Sequence, residues 1–179
     1  MLKAMYEVTK ERYKSGQGVL PEEKVRMGLV YLGHYTTGGE FWGWLEHNGI
    51  SPIMEMLAML NHQHYRMDCS NMDTMLDSLA DQSSNTPMTK QIRGPYDFQG
   101  QWLDDVVTLY NDLKMDCAVY LGTQGCKNTW GCVKVLMRRI EEDLGIPTLI
   151  IQSDAWDDRV TPWPVIKDQI EEFVNTVVL

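Results

Sequence analysis

A chain of 179 residues, 44% of them apolar and 23% charged, is long enough to bury one substantial core and short for two domains. It has no apolar run of about 18 residues, which excludes a membrane-spanning helix, and its charged first 18 residues lack the apolar stretch of a secretory signal, so a cytoplasmic location is expected. A net charge of −9 excludes a general nucleic-acid binder, whose surface is basic, while leaving room for a phosphate-bearing ligand held by a few local cations.

The predicted elements begin with a lead-in helix over Leu2–Lys14, carrying Leu2, Met5, Tyr6, Val8 and Tyr13. It stops at Ser15-Gly16-Gln17-Gly18, and residues 1–22 read as a lead-in helix and linker ahead of a domain spanning 23–179. Val25–Leu32 is a short apolar run and reads as a buried strand. Thr37-Gly38-Gly39-Glu40 opens a helix through Phe41, Trp44 and Leu45, closed by Asn48-Gly49. Ser51–Leu57 is a second strand, and a helix is expected over Met72–Leu79. Ser83–Pro95 is rich in turn-forming residues and reads as a loop.

Gln101–Leu113 is a strong helix, with Trp102, Leu103, Val106, Leu109, Tyr110 and Leu113 on one face. Cys117–Leu121 is a third strand, and a helix is expected over Trp130–Leu144, burying Val133, Leu136, Met137, Ile140 and Leu144. Pro147–Ile151 is a fourth strand, and a last helix over Pro164–Val177 buries Ile166, Ile170, Phe173 and Val177. Short apolar strands between helices predict an α/β fold of three layers with a four-stranded parallel sheet. Right-handed crossovers favour the order 2-1-3-4. Ligands in such folds bind beyond the carboxyl ends of the strands, where the order reverses. That places loops 33–39, 60–69, 122–130 and 153–162 at the working edge.

The four cysteines, Cys69, Cys117, Cys126 and Cys132, are irregularly spaced and suggest reduced thiols or metal ligands, not a disulfide framework. Cys126 is the best placed, in a glycine-flanked loop after the third strand and just before a helix, where an anion is stabilised. An inert loop cysteine is the blander reading. Cys132, in the first turn of that helix as read here, makes C-x5-C with Cys126, which matches no strong metal spacing. Cys117 opens an apolar strand and reads as core.

His62, His64 and Cys69 form H-x-H-x4-C, a weak transition-metal pattern more often found in a solvated loop. His34 and Tyr35, at the first strand's exit, could face a ligand, though such loop residues are more often solvated. Thr37-Gly38-Gly39 could cradle a phosphate, but neither it nor Gly122–Gly125 is a nucleotide fingerprint. No G-x-S-x-G elbow occurs. Asp154, Asp157 and Asp158 suggest turns and helix caps more than a magnesium cluster.

The strand CAVYL, the loop GTQGCK with Cys126 and Lys127, the run EEDLGIPTLII, the loop SDAWDDRV and the helix QIEEFVNTV follow one another from Asp116 to Leu179. Upstream, GVLPEEKVRMGLVYLG leads into FWGWLEHNGISPIMEM. In these segments and their order the chain resembles the C-terminal domain of the 2-hydroxyacyl-CoA dehydratase and benzoyl-CoA reductase subunits, with a weak match over residues 60–93. The resemblance implies ATP-dependent ketyl-radical acyl-CoA chemistry at a [4Fe–4S] cluster held by three cysteines in each subunit. Cys126 matches the last of these cysteines and Lys127 the residue after it. Cys69 and Cys117 match neither of the others, which lie in upstream domains of the family. The implied partners are those upstream domains, a sister subunit of a heterodimer, an ATP-dependent activator protein and an acyl-CoA. The full-length relative would be a lyase or an oxidoreductase. This chain alone is expected to lack the cluster and to be inactive. The competing expectation, from the missing cysteines, is a non-catalytic module that binds a partner or CoA. A zinc protein using His62, His64 and Cys69 ranks last.

Overall fold

The computed structural model describes residues 1–56, 67–84 and 98–179. Four parallel strands, β1 (Val25–Leu29), β2 (Ile50–Glu55), β3 (Cys117–Leu121) and β4 (Thr148–Ile151), form one sheet in the order β2-β1-β3-β4. The helices are α1 (Leu2–Lys14), α2 (Gly39–His47), α3 (Met72–Ser84), α4 (Phe98–Leu113), α5 (Lys127–Leu144) and α6 (Trp163–Phe173), and the chain ends in a π-helical turn, Val174–Val178. The predicted three-layer arrangement and strand order are those observed.

The layers follow from the two-residue period of a strand. In β3, Cys117, Val119 and Leu121 face one core, with Phe41 and Leu45 of α2 and Ile166 and Ile170 of α6. Ala118 and Tyr120 face the other, with Trp102 and Val106 of α4 and Val133 and Met137 of α5. Every residue of β3 is therefore buried, which is why its sequence reads as an unbroken apolar run. The chain crosses one way from β1 to β2 and the opposite way from β2 through β3 to β4. Right-handed connections then put α2 on one face and α4 and α5 on the other. β2 takes the edge, where Pro52 is tolerated because an edge strand can lack one donor.

The element boundaries shift in ways that matter. β1 stops at Leu29 instead of Leu32, because Val30 still donates to Val119 at 2.9 Å but Leu32 turns back into an isolated antiparallel bridge with Leu121. β2 runs from Ile50 to Glu55, with a register shift opposite Met27/Gly28. Residue 57, given to this strand by the sequence, lies outside the described residues, as does 85–95 of the expected loop. α3 continues to Ser84, so that loop begins later than the sequence suggested. α4 buries Trp102, Leu103, Val106 and Leu109 as expected.

α5 begins at Lys127, three residues earlier than its apolar stripe predicted, because the N–H of Trp130 reaches the carbonyl of Cys126 at 3.2 Å and closes a first turn. Cys126 thus becomes the residue flanking the helix N-terminus, and Cys132 belongs to the second turn instead of the first. Gly145 ends the helix with φ of 68°, its N–H on the Glu141 carbonyl at 2.9 Å. α6 ends at Phe173. The wider π turn that follows buries Val174 and leaves Val177 exposed, contrary to the helical periodicity.

Gly122, at the exit of β3, has no room for a side chain. A Cβ there would stand 2.1 Å from Cζ2 of Trp130, whose indole N–H donates to the Thr123 carbonyl at 3.1 Å. Gly122→Ala is expected to displace that ring and cost about 1–3 kcal/mol of stability, read as a lowered urea midpoint.

Candidate functional site

β1 and β3 are neighbours whose outgoing connections run in opposite directions, so the sheet's topological switch point lies between their carboxyl ends. Two side chains meet there. The Tyr31 hydroxyl, two residues past β1, faces the sulfur of Cys126, five residues past β3, closely enough to favour its ionised form. Cys126 is half-buried at this rim, while Lys127, the first residue of α5, is exposed. The sequence placed Cys126 at the carboxyl edge, and the structure brings it there.

The sulfur sits in a small polar nest inside an aromatic wall. The Tyr120 hydroxyl donates to Thr129 Oγ1 at 2.7 Å, and the Thr129 hydroxyl lies 3.3 Å from the Cys126 carbonyl and within reach of the sulfur. The Tyr31 and Tyr120 rings pack with centroids 5.5 Å apart, and Trp130 stands edge-on to Tyr120, also at 5.5 Å. Burial pushes the Cys126 thiol up. Hydrogen bonds from the Thr129 hydroxyl and N–H, the Tyr31 hydroxyl and the Asn128 N–H outweigh that burial, so the thiol lies below its usual value. Burial, together with the sulfur it faces, pushes Tyr31 well above the ordinary phenol range, so it stays a donor. Tyr120 is likewise pushed up to about 12, mainly by burial.

The other thiols differ. Cys117 is fully buried and pushed up to about 12 by burial and the neighbouring Asp116. Cys132 is 5% exposed and pushed up to about 11 by burial and by Cys126. Cys69 is exposed, its sulfur 3.8 Å from the Met67 carbonyl. Brief alkylation of the native chain near neutral pH is therefore expected to modify Cys69 and Cys126 and to spare Cys117 and Cys132 until denaturant is added. Peptide mass mapping reads this directly.

A second cluster ties the rim loops together. Glu55, at the end of β2, accepts from the Tyr35 hydroxyl and from the Gly33 N–H at 2.8 Å. Tyr35 is pushed up to about 12 by burial and by this carboxylate, and its ring stacks on Trp156 at 4.9 Å and 10°. His34 is fully buried, not solvated as the sequence suggested. Its ring lies 3.3 Å from the Thr37 hydroxyl and 3.2 Å from that of Thr36, and it stacks on Trp163 at 6.4 Å.

Burial lowers the His34 pKa despite the pull of Asp158 and Asp154. A histidine with a lowered folded pKa binds its proton more readily when unfolded. Its stabilisation is complete above the ordinary value of 6.5 and is lost as pH falls from there through the folded value. The urea midpoint is expected to drop between about pH 7.5 and about pH 5.5. His34→Asn should start lower and show a flatter pH dependence.

The remaining sequence candidates do other work. Around Thr37-Gly38-Gly39, the Gly38 N–H donates to Tyr35 and the Glu40 N–H to Thr37, each at 3.1 Å, so the turn itself uses these donors. Asp154 bridges loops, accepting from the Gln124 N–H at 3.0 Å and the Trp156 N–H at 2.9 Å. Asp157 accepts from the N–H and guanidinium of Arg159. These are the expected turn roles, but the flanking residue of α6 is Pro162, so neither aspartate caps it. His62 and His64 lie outside the described residues. A cleft of about 520 Å³ opens at the opposite, amino edge between residues 19–24 and the end of α2.

The sequence reading missed Tyr31, Tyr120 and Thr129, which together make the environment of the sulfur. Both tyrosines sit in apolar runs and read as core. The available signal was that a buried tyrosine hydroxyl seeks a hydrogen-bond partner.

Among the described residues, no group of three His, Cys, Asp or Glu side chains is placed to hold a metal ion. No helix among them is long and apolar enough to cross a membrane. A comparison with curated proteins found no match. The family model described as 2-hydroxyglutaryl-CoA dehydratase, D-component, matches residues 1–177. With nearly its whole length matched, and with a half-buried cysteine at the switch point of the expected sheet, the chain belongs to the 2-hydroxyglutaryl-CoA dehydratase D-component family.

Proposed function

We propose that this chain is the α/β domain of a 2-hydroxyacyl-CoA dehydratase component in which Cys126 supplies one thiolate to a [4Fe–4S] cluster. The observation that carries this reading is the meeting of Tyr31, Thr129 and the start of α5 around the Cys126 sulfur, which favours its ionised, metal-binding form. Thiolates are the usual ligands of such clusters, which supply one-electron chemistry when bound. The described donor set fits one corner of a cluster and not a whole one. Cys132, although near, is held protonated by burial, and Cys69 lies at a different loop. The remaining ligands come from other domains or a sister subunit, and an ATP-dependent activator protein supplies the electron. Lys127, exposed beside the sulfur in sequence, adds a cation at the edge where an acyl-CoA and the cluster meet.

The test is anaerobic reconstitution, with iron and sulfide, of the protein together with the chains that complete it. Cys126→Ala is expected to abolish or bleach the iron–sulfur absorbance, while Cys69→Ala leaves it intact. Undiminished absorbance in Cys126→Ala would overturn the assignment. A second reading, a non-catalytic partner- or CoA-binding module, is favoured by the lack of a complete ligand group among the described residues. It predicts CoA or subunit binding without iron in the completed assembly.

A further inference from the structure

The loop that carries Cys126 is held from the exit of β4. Gly122, where the chain leaves β3, donates its N–H to the Ile151 carbonyl at 3.0 Å, and its own carbonyl accepts from the Ser153 hydroxyl at 3.0 Å. Two residues on, the Gln124 N–H donates to Oδ2 of Asp154 at 3.0 Å. Gly125 follows, and among the described residues nothing lies within 4 Å of where its Cβ would stand. The Asp154 carboxylate is thus the last tie from another strand's loop before Cys126.

Asp154 is itself fixed on both sides. Ser153 before it is fully buried, and Ala155 after it is 2% exposed. The Ala155 carbonyl accepts at 3.2 Å from the N–H of Tyr35, on the loop after β1, and Trp156 stacks on the Tyr35 ring. Residues 153–156 therefore tie the exit of β1 to the exit of β3, the two exits that bring Tyr31 and Cys126 together. Oδ1 of Asp154 accepts from the Trp156 N–H at 2.9 Å, which closes a local turn. That turn needs one oxygen only. The second oxygen is the one that reaches the cysteine's loop. Both partners are backbone donors, so a carboxylate serves them together, whereas an amide has one accepting oxygen to share between them.

We propose that Asp154 is a positioning residue for the cluster ligand: its carboxylate clamps the Gln124 N–H and so holds Cys126 in place opposite Tyr31. The inference rests on the reading of Cys126 as a ligand given above. Groups that fix a ligand's orientation from outside the metal site typically matter nearly as much as the ligand, because a thiolate free to swing holds its metal less well.

The test compares Asp154→Ala with Asp154→Asn. Both remove the same charge, but only asparagine keeps an acceptor, so a difference between them reports the hydrogen bond. In the 179-residue chain, amide exchange followed by mass spectrometry should speed up at least tenfold across residues 122–126 in Asp154→Ala, with Asp154→Asn between it and the unsubstituted chain. In the completed and anaerobically reconstituted assembly, iron release to a chelator should be several-fold faster in Asp154→Ala, again with Asp154→Asn between. Circular dichroism should show both variants folded, and Asp154→Asn, the milder change, carries both readouts should the alanine variant unfold. Unchanged iron release in Asp154→Ala, in an assembly whose unsubstituted form holds a cluster, overturns this proposal alone. Unchanged exchange across residues 122–126 overturns it as well. So does an asparagine variant that matches the alanine one in both readouts, which would assign the effect to charge. An unsubstituted assembly that takes up no cluster overturns the reading of Cys126 itself, and with it this role of Asp154, even where exchange shows the clamp.

Discussion

Trp102→Ala is expected to lower the unfolding free energy by about 3–5 kcal/mol, a large share of the about 5–15 kcal/mol typical of a domain. The indole is 1% exposed and lies in the core between the sheet and α4 and α5. Its N–H donates at 3.1 Å to the carbonyl of Val30, on the segment that leads from β1 to Tyr31. Truncation removes a large apolar volume and also leaves a buried carbonyl without that donor. Trp102→Phe separates the two effects. It keeps most of the contact surface and loses the hydrogen bond, and it should cost less than the alanine variant. Equilibrium urea unfolding of both variants checks the expectation. A cost below about 1 kcal/mol for the alanine would mean that α4 is not packed on the sheet as described.

The second expectation concerns the thiol. Tyr31→Phe and Thr129→Val each remove a donor from the Cys126 sulfur. Each should move the thiol back toward its ordinary value, and the double variant should move it farther. In a Cys69→Ser background, alkylation of Cys126 followed against pH should show a midpoint displaced to higher pH in every variant, with a several-fold slower rate near neutral pH.

The stability sign follows from the same lowering. A thiol whose folded pKa is depressed stabilises the fold above its unfolded value of about 8.5, and that contribution is lost as pH falls through the folded value. Removing the donors should therefore reduce stability most at alkaline pH. If the alkylation profile stays where it was, neither hydroxyl reaches the sulfur and the physical support for a metal-binding thiolate is gone.

Much of this molecule was legible before any coordinates. The four strands are short apolar runs between helices, and β3 came out at its observed ends because the sheet buries both of its faces. The helices with a strong stripe, α4 and α5, were found by period alone. Their last residues, Leu113 and Leu144, were found as well, but their starts were not, because a helix start is decided by single hydrogen bonds. The early start of α5 rests on the Trp130 N–H to Cys126 contact, and the exposure of Val177 rests on a π turn that no periodicity announces.

By itself the sequence determined the class of fold, the strand order and the presence of Cys126 at the carboxyl edge, because these depend on apolar patterning and chain connectivity. Only the tertiary structure decided what surrounds that sulfur. Tyr31 and Thr129 stand 98 residues apart in the chain and meet at Cys126 because β1 and β3 are neighbours with opposite exits. Buried His34 and the Glu55–Tyr35 contact arise in the same way. Each is a pairing between loops that local sequence does not encode, since the distance between two strand exits is set by the packing of the whole sheet.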